Sequence, residues 1–139
     1  MMQATLVLCD FAEIDSTGKV HILGAGWSVT GPAPAPQGIV AFLKVPAERA
    51  QSPIQATLRL LDQERHLVEV PGIGGTQVLE ISGQIEMQMP ETWDHALDLS
   101  ASFAVNVGPL PLTRGMTYSW TIEIDGKELA SVDFLVRPS

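Results

Sequence analysis

The side chains that could do chemistry in this chain are its three histidines, its single cysteine and its clustered carboxylates. One stretch, "ETWDHALD", brings Asp94, His95 and Asp98 close together in sequence, and these side chains could share a cation. A protein metal site needs several ligands that converge at fixed distances, and one histidine with two carboxylates in an expected strand-entry loop does not meet that requirement. We therefore predict a solvated loop here and no bound metal.

The thiol of Cys9 could act as a nucleophile only with a base nearby, and the candidate is His21 across the first expected hairpin. Cys9 follows Leu8 in an apolar run, which favours a buried structural thiol. His21 lies in mid-strand between Val20 and Ile22, where we expect it either to face solvent or to be hydrogen-bonded in a structural role. A single cysteine forms no intramolecular disulfide, which fits a reducing compartment.

Two further stretches fall short of a site. The glycine-rich "GIGGTQ", residues 72–77, precedes an expected strand rather than a helix, so it lacks the helix N-terminus that holds phosphate, and we interpret it as a loop. Asp62, Glu64 and Glu69 cluster near one turn without the regular spacing of a calcium loop. No nucleophile, base and orienting group can be assembled, so we predict no catalytic residue, no cofactor and no enzymatic activity.

The dominant pattern is strict alternation of apolar and polar residues, which is typical of half-buried strands. Four long runs alternate in the second half, and Asp125-Gly126 between the last two predicts a type I′ hairpin turn. The positions expected to face inward are Leu79, Ile81, Ile85, Met87, Met89, Leu97, Leu99, Phe103, Val105, Val107, Tyr118, Trp120, Ile122, Ile124, Val132, Phe134 and Val136.

The first half follows the same pattern. Residues 3–11 are apolar on both faces, so we expect a central strand, and residues 19–29 form the next, with a close backbone approach or a bulge at Gly24 and Gly26. Ile54, Ala56, Leu58 and Leu60 point inward on a later strand, and Gly83 predicts a bulge or kink. The one helix candidate is "PAERAQ", residues 46–51.

These elements predict an all-β protein. We expect an antiparallel β-sandwich, jelly-roll or immunoglobulin-like, of about eight to nine strands with at most one short helix. The chain has 139 residues, which suits one domain, so we expect a single β-sandwich domain over residues 1–139.

The run "GWSVTGPAPAPQG" interrupts this pattern. Pro32, Pro34 and Pro36 cannot donate ladder hydrogen bonds, so the segment must leave the sheet. The spacing is not that of a P-x-x-P ligand, and too few strands precede it for a complete domain. We favour a stiff crossover between sheets, with Trp27 packed in the core before it. The alternative is a rigid arm, formed by the three prolines, that docks on a neighbouring subunit.

Composition limits the partners. The net charge is −8, charged residues make up 17% of the chain and apolar residues 45%. No basic stripe exists, so we predict neither nucleic-acid nor anionic-membrane binding. A lightly charged surface on a β protein favours oligomerisation or docking on a partner. No apolar run approaches the roughly 18 residues of a membrane-spanning helix, and the N-terminus lacks signal-peptide features, so we expect a cytoplasmic protein.

Three stretches carry a family resemblance: "LCDFAE", "ILGAGWS" followed by prolines, and "YSWTIEIDGKELASVDFLV". With them the chain resembles a family of small uncharacterised proteins of bacteria, notably actinobacteria, and their phages. The resemblance implies a β-sandwich without known catalytic residues, and it suggests a virion or accessory role.

Two functions remain open. The first is a non-enzymatic building block or interaction module, a homo-oligomer or a protein that docks on a larger assembly, such as a phage decoration protein incorporated into a virion. The second is a small-ligand or carbohydrate-binding sandwich, which needs an exposed aromatic platform. Of the eight aromatic residues, Trp27 and Trp93 are the candidates for that platform.

Overall fold

The computed structural model describes residues 2–87 and 97–139. This part of the chain is all-β, with twelve strands and no helix. The strands are β1 Gln3–Cys9, β2 Phe11–Ile14, β3 Val20–Leu23, β4 Val29–Thr30, β5 Gln37–Val45, β6 Ile54–Leu61, β7 Glu69–Gly72, β8 Gly75–Val78, β9 Glu80–Ile85, β10 Leu99–Val107, β11 Thr117–Ile124 and β12 Lys127–Val136.

Two sheets enclose the core, so the predicted β-sandwich is confirmed. The three-stranded sheet has the order β1-β5-β10, and the five-stranded sheet has the order β4-β12-β11-β6-β9. All pairings in these sheets are antiparallel except that of β4 with β12. Apolar side chains from both sheets form one cluster, with Trp120 fully buried between them. Its indole Nε1 donates a hydrogen bond of 3.0 Å to Oε1 of Gln37, which links the two sheets.

The central strand of the smaller sheet is β5, and β1 lies at its edge. The expectation that residues 3–11 form a central strand is therefore wrong. The chain after β3 lies beside β1 instead of another strand, and the Gly26 amide donates to the Leu8 carbonyl at 2.9 Å. This loop pairs with the edge of β1, and Ala12 of β2 packs against Cys9 on the outer face of the strand, so the end of β1 is apolar on both faces without being central.

The predicted hairpin turn between β11 and β12 is confirmed. Ile124 pairs with Lys127, and the two residues between them, Asp125 and Gly126, have φ of 51° and 86°. Positive φ at both central positions defines the type I′ turn, whose twist matches that of the flanking strands.

The predicted inward faces are confirmed on most strands. Tyr118, Trp120, Ile122 and Ile124 are all buried, and β6 buries its four expected residues completely. Leu97 is an exception, because its exposed fraction is 62%. Met89 lies outside the described residues.

The glycine predictions have different outcomes. The register of β9 with β6 runs through Gly83 without a shift, so the predicted bulge is wrong. A β-carbon at Gly83 would lie 3.4 Å from the Phe103 ring, so the glycine accommodates core packing instead. Gly24 has φ of 64° and closely approaches Asp10, as expected.

The predicted strand count is too low for the described part of the chain. Several expected strands are divided, and the extra pieces form two separate hairpins, β2–β3 and β7–β8. One expected strand is interrupted at Asp10, whose amide donates a hydrogen bond to the Leu23 carbonyl. Another is interrupted at Leu79, whose amide donates to the Val68 carbonyl. The stretch "GIGGTQ", expected to be a loop, supplies the turn and part of both strands of the second hairpin.

The helix candidate is a turn. The amides of Arg49 and Ala50 both donate to the Pro46 carbonyl, and no helical element follows. Pro53 limits the segment at its other end, because the residue before a proline disfavours the helical conformation.

Candidate docking surface

The proline segment connects the two sheets. It leaves β4 in the five-stranded sheet and enters β5 in the three-stranded sheet, as the crossover interpretation predicts. The Arg137 amide donates to the Thr30 carbonyl at 3.1 Å at one end, and Gln37 receives the Trp120 hydrogen bond at the other. Pro34 and Pro36 are exposed. The docking role of Pro32, Pro34 and Pro36 stays a prediction.

The two tryptophans proposed as an exposed platform do not supply one in the described structure. Trp27 is half-buried and its ring meets the edge of Phe134, with ring centroids 5.8 Å apart. This is the expected core packing before the crossover. Its Nε1 is buried without a hydrogen-bond partner among the described residues. Trp93 lies outside the described residues.

The candidate thiol and its candidate base are not brought together. Cys9 is fully buried beside Val40, and burial raises the pKa of its thiol, so the neutral structural form is favoured. His21 is exposed, and its Nε2 lies 2.7 Å from Oδ2 of Asp15. The expected structural role of Cys9 agrees with this arrangement.

The carboxylate clusters are used within the fold. Oδ1 of Asp62 accepts hydrogen bonds from the amides of Glu64 and His66 and closes the predicted turn. Within residues 2–87 and 97–139, no group of three or more metal-ligating side chains is arranged to hold an ion. Asp94 and His95, the centre of the other candidate, lie outside the described residues.

On the outer face of the five-stranded sheet, charged side chains form ion pairs with one another. Arg59 on β6 donates to Glu80 on β9 at 2.6 Å and to Glu123 on β11 at 2.5 Å. Hydrogen bonds to these carboxylates, that to Glu80 first, raise the pKa of Arg59. Around this cluster the face carries mainly serine, threonine and glutamine side chains.

The outer face of the three-stranded sheet is different, because the β2–β3 hairpin covers part of it. Ala12 of the hairpin is buried against Cys9 and Val40. The side chain of Asn106 on β10 accepts from the Ala12 amide at 3.0 Å and donates to the Ala12 carbonyl at 2.7 Å. These two bonds and the apolar contact hold the hairpin on the sheet.

The other face of the same hairpin is apolar and exposed. Phe11 and Leu23 are directly opposite each other in the register, with exposed fractions of 47% and 67%. With Glu13, Asp15 and His21 they line a shallow depression of about 400 Å³, which we call the hairpin depression. It offers an apolar end and an acidic end to a ligand or partner.

Sequence reasoning missed Phe11 and Leu23. The available signal was alternation in "FAEI" and "VHIL", because Phe11 and Glu13 on one strand lie opposite Leu23 and His21 on the other, so that all four share one face. This signal is weak, because a hydrophobic residue on a face that also carries a charge can be buried or exposed. In addition, the first strand was expected to continue through Phe11, so no separate hairpin was predicted.

A second exposed aromatic lies on the uncovered part of the same sheet. Phe42 has an exposed fraction of 38% and lies between Thr5 and Ser102 in the register. These residues line a separate depression of about 300 Å³ with Gln3, Lys44 and other neighbours. It combines one aromatic ring with polar side chains.

Comparison with known proteins adds one result. No curated protein and no solved structure matches the chain. Among the described elements there is no helix of the length and apolar character needed to cross a membrane. One family model, described as a family of unknown function, DUF6941, matches residues 4–137. Since this match covers nearly the whole chain, the protein belongs to the DUF6941 family.

Proposed function

We propose that this protein is a non-enzymatic building block that assembles through the hairpin depression. The observation that carries the proposal is the pair Phe11 and Leu23, which lie side by side with 47% and 67% of their surface exposed. Burying such a pair against a partner gains roughly 25 cal/mol per Å² of apolar surface removed from water.

The anchoring of the hairpin strengthens this proposal. Asn106 and Ala12 fix the backbone that presents the two side chains. A surface that is already ordered loses less conformational entropy on binding than a mobile one, so more of the contact energy becomes affinity. The lightly charged composition, 17% charged residues, agrees with a protein whose surface is covered in an assembly.

We further propose that the assembly is a larger particle on which the protein acts as an accessory component, such as a phage virion. The support is the resemblance of "LCDFAE", "ILGAGWS" and the closing hairpin to proteins of bacteria and their phages. In this proposal the protein is made in the cytoplasm and has a protein partner, with no role for nucleic acid, membrane or cofactor.

The test is the mass of the protein in solution, measured by light scattering after gel filtration across a concentration series. We expect a defined oligomer that the double variant Phe11→Ser, Leu23→Ser dissociates. The matched control is Ile73→Ser, Val78→Ser, which changes two exposed apolar residues at the other hairpin. A monomer at every concentration, or an oligomer that the first variant leaves intact, contradicts the proposal.

A carbohydrate-binding module is the second candidate, and Phe42 is the observation that favours it. An exposed ring surrounded by Thr5, Ser102 and other polar side chains offers both an apolar platform and hydrogen-bond groups. Titration with soluble oligosaccharides, followed by amide chemical shifts, should then perturb β5 around Phe42, and Phe42→Ala should abolish the effect. Perturbation that survives Phe42→Ala excludes this site.

A further inference from the structure

The acidic end of the hairpin depression has a counterpart elsewhere on the chain. Arg114 and Arg137 are exposed, and neither guanidinium has a hydrogen-bond or ion-pair partner among the described residues. The segments that carry them are joined, because the Gly115 amide donates to the Val136 carbonyl at 2.7 Å.

The proline crossover lies beside Arg137. The Arg137 amide is bonded to the Thr30 carbonyl, and a β-carbon added at Gly31 would lie 3.4 Å from Nη2 of Arg137. The exposed Pro34 and Pro36 follow in the same segment. We call Arg114, Arg137 and the segment 32–36 the arm corner. It presents positive charge next to a rigid apolar segment.

We propose that the hairpin depression of one copy receives the arm corner of a second copy. The two surfaces are complementary in charge and in polarity. Glu13, which has no partner among the described side chains, faces the guanidinium groups of Arg114 and Arg137, while Phe11 and Leu23 contact the prolines and the alkyl stems of the arginines. Asp15 stays engaged with Thr17, Lys19 and His21 in the turn of its own hairpin. Arginine suits such a site because its flat, weakly hydrated guanidinium stacks on aromatic rings and pairs with carboxylates.

The other three arginines are less suited to this role. Arg49, Arg59 and Arg65 are already engaged in ion pairs with Asp125, with Glu80 and Glu123, and with Glu128, respectively. Breaking such a pair to form a contact with another copy would exchange one ion pair for another without net gain. Arg114 and Arg137 carry no such cost in the described structure.

This inference rests on the proposed assembly through the hairpin depression and names the second surface. Charge reversal on either side should weaken the contact, and reversal on both sides should restore it. We expect Glu13→Lys to raise the dissociation constant of the oligomer about tenfold at low salt, and Arg114→Glu, Arg137→Glu to do at least the same. Glu13 makes no hydrogen bond with another described side chain, so its replacement should leave the fold intact.

The decisive experiment mixes the two variants. Each alone brings like charges together, whereas a mixed complex contains one native charge pairing and one reversed pairing, so mixing Glu13→Lys with Arg114→Glu, Arg137→Glu should restore assembly. The readout is light scattering of each variant and of the equimolar mixture, at low and high sodium chloride. Salt should weaken the native contact, because exposed charges are screened.

Control variants test whether the effect depends on the position of the altered charge or only on the net charge of the protein. Glu69→Lys and the pair Lys44→Glu, Lys127→Glu make the same changes at exposed positions away from both surfaces, and we expect them to assemble as the native chain does. Thermal melts of every variant confirm folding.

The outcomes distinguish the two proposals. An oligomer that needs Phe11 and Leu23 but is indifferent to Arg114→Glu, Arg137→Glu overturns the arm corner and leaves the hairpin depression as the docking surface. A mixture that stays dissociated while both variants are folded also overturns the pairing. An oligomer that survives Phe11→Ser, Leu23→Ser, or a native chain that stays monomeric, overturns both.

Discussion

The two hairpins outside the main sheets, β2–β3 and β7–β8, are built from strands of the same length but are held differently. The first buries Ala12 on the sheet and is bonded twice to Asn106. The second buries Val70 and carries Ile73, fully exposed, at its tip. Both expose apolar side chains. Among the described residues only the first is held on a main sheet by side-chain hydrogen bonds, whereas backbone hydrogen bonds of Val68 and Leu79 tie the base of the second to Leu60 on β6.

This difference shows why exposure alone does not identify a docking surface. Ile73 is more exposed than Phe11 or Leu23, but it lies beside Gly74 and Gly75, both with positive φ, in a turn with the conformational freedom of glycine. Ordering such a turn on binding costs entropy that the anchored hairpin has already lost on folding. If anchoring is the property that separates the two hairpins, substitutions at the anchor should affect the first hairpin alone.

The largest effect is expected for the core of the sandwich to which both hairpins are attached. Trp120→Ala should lower the free energy of unfolding by about 3–5 kcal/mol, because it empties a fully buried site. It also leaves the buried Oε1 of Gln37 without its donor. Urea denaturation measures the change, and both hairpins should lose protection together with the sandwich. An unchanged urea unfolding transition would show that the Trp120 side chain does not stabilise the core.

A smaller and local effect is expected at the anchor of the first hairpin. Asn106→Ala removes two hydrogen bonds to the Ala12 backbone and should cost about 1–2 kcal/mol. Amide hydrogen exchange should accelerate in β2 and β3 and stay unchanged in β7 and β8. Ser100→Ala, at an exposed position on the same strand, is the matched control. Equal acceleration in both hairpins would contradict the anchoring role of Asn106.

The second hairpin should tolerate changes that the first does not. Ile73→Ser should alter the free energy of unfolding by less than about 0.5 kcal/mol, because its side chain is wholly exposed. Thermal denaturation checks this. A loss of more than about 1 kcal/mol would mean that the tip of β7–β8 contributes to folding and that the two hairpins are alike.

The sequence predicted the sandwich well where a local rule, such as alternation along a strand or positive φ in a turn, decides the structure. On β11 the alternation of Tyr118, Trp120, Ile122 and Ile124 reports directly which face is buried, because successive strand residues point to opposite faces. The Asp125-Gly126 turn is equally local. A type I′ turn needs positive φ at both central residues, and the dipeptide Asp-Gly adopts this conformation readily.

The candidate surface could not be predicted in the same way, because it depends on contacts between distant parts of the chain. Ala12 and Asn106 are 94 residues apart, and without their contact nothing in "FAEI" decides which face is covered. Alternation identifies two faces of a strand, and only the tertiary fold decides which one remains exposed.

The smallest predicted effect concerns the turn of the first hairpin. Oδ1 of Asp15 accepts hydrogen bonds from the hydroxyl and amide of Thr17 and from the amide of Lys19, and its Oδ2 meets His21. These bonds, with that of the Thr17 hydroxyl first, hold the pKa of Asp15 well below its ordinary value. A carboxylate with a lowered pKa in the folded state stabilises the fold above the unfolded pKa of about 3.9, and this contribution is lost as pH falls through the folded value.

The turn of β2–β3 should therefore stay closed when acid brings the solution to about pH 4 and should open only at lower pH. An NMR titration of the Asp15 carboxyl carbon measures this directly, and Thr17→Ala should move the titration upward, because it removes the largest contribution to the shift. The turn of β7–β8, Ile73-Gly74, contains no carboxylate, so its amides should show no transition in this range. Titration of Asp15 at the ordinary value of a free aspartate would show that its carboxylate does not hold the turn, and that the two hairpins differ only in how they contact the sandwich.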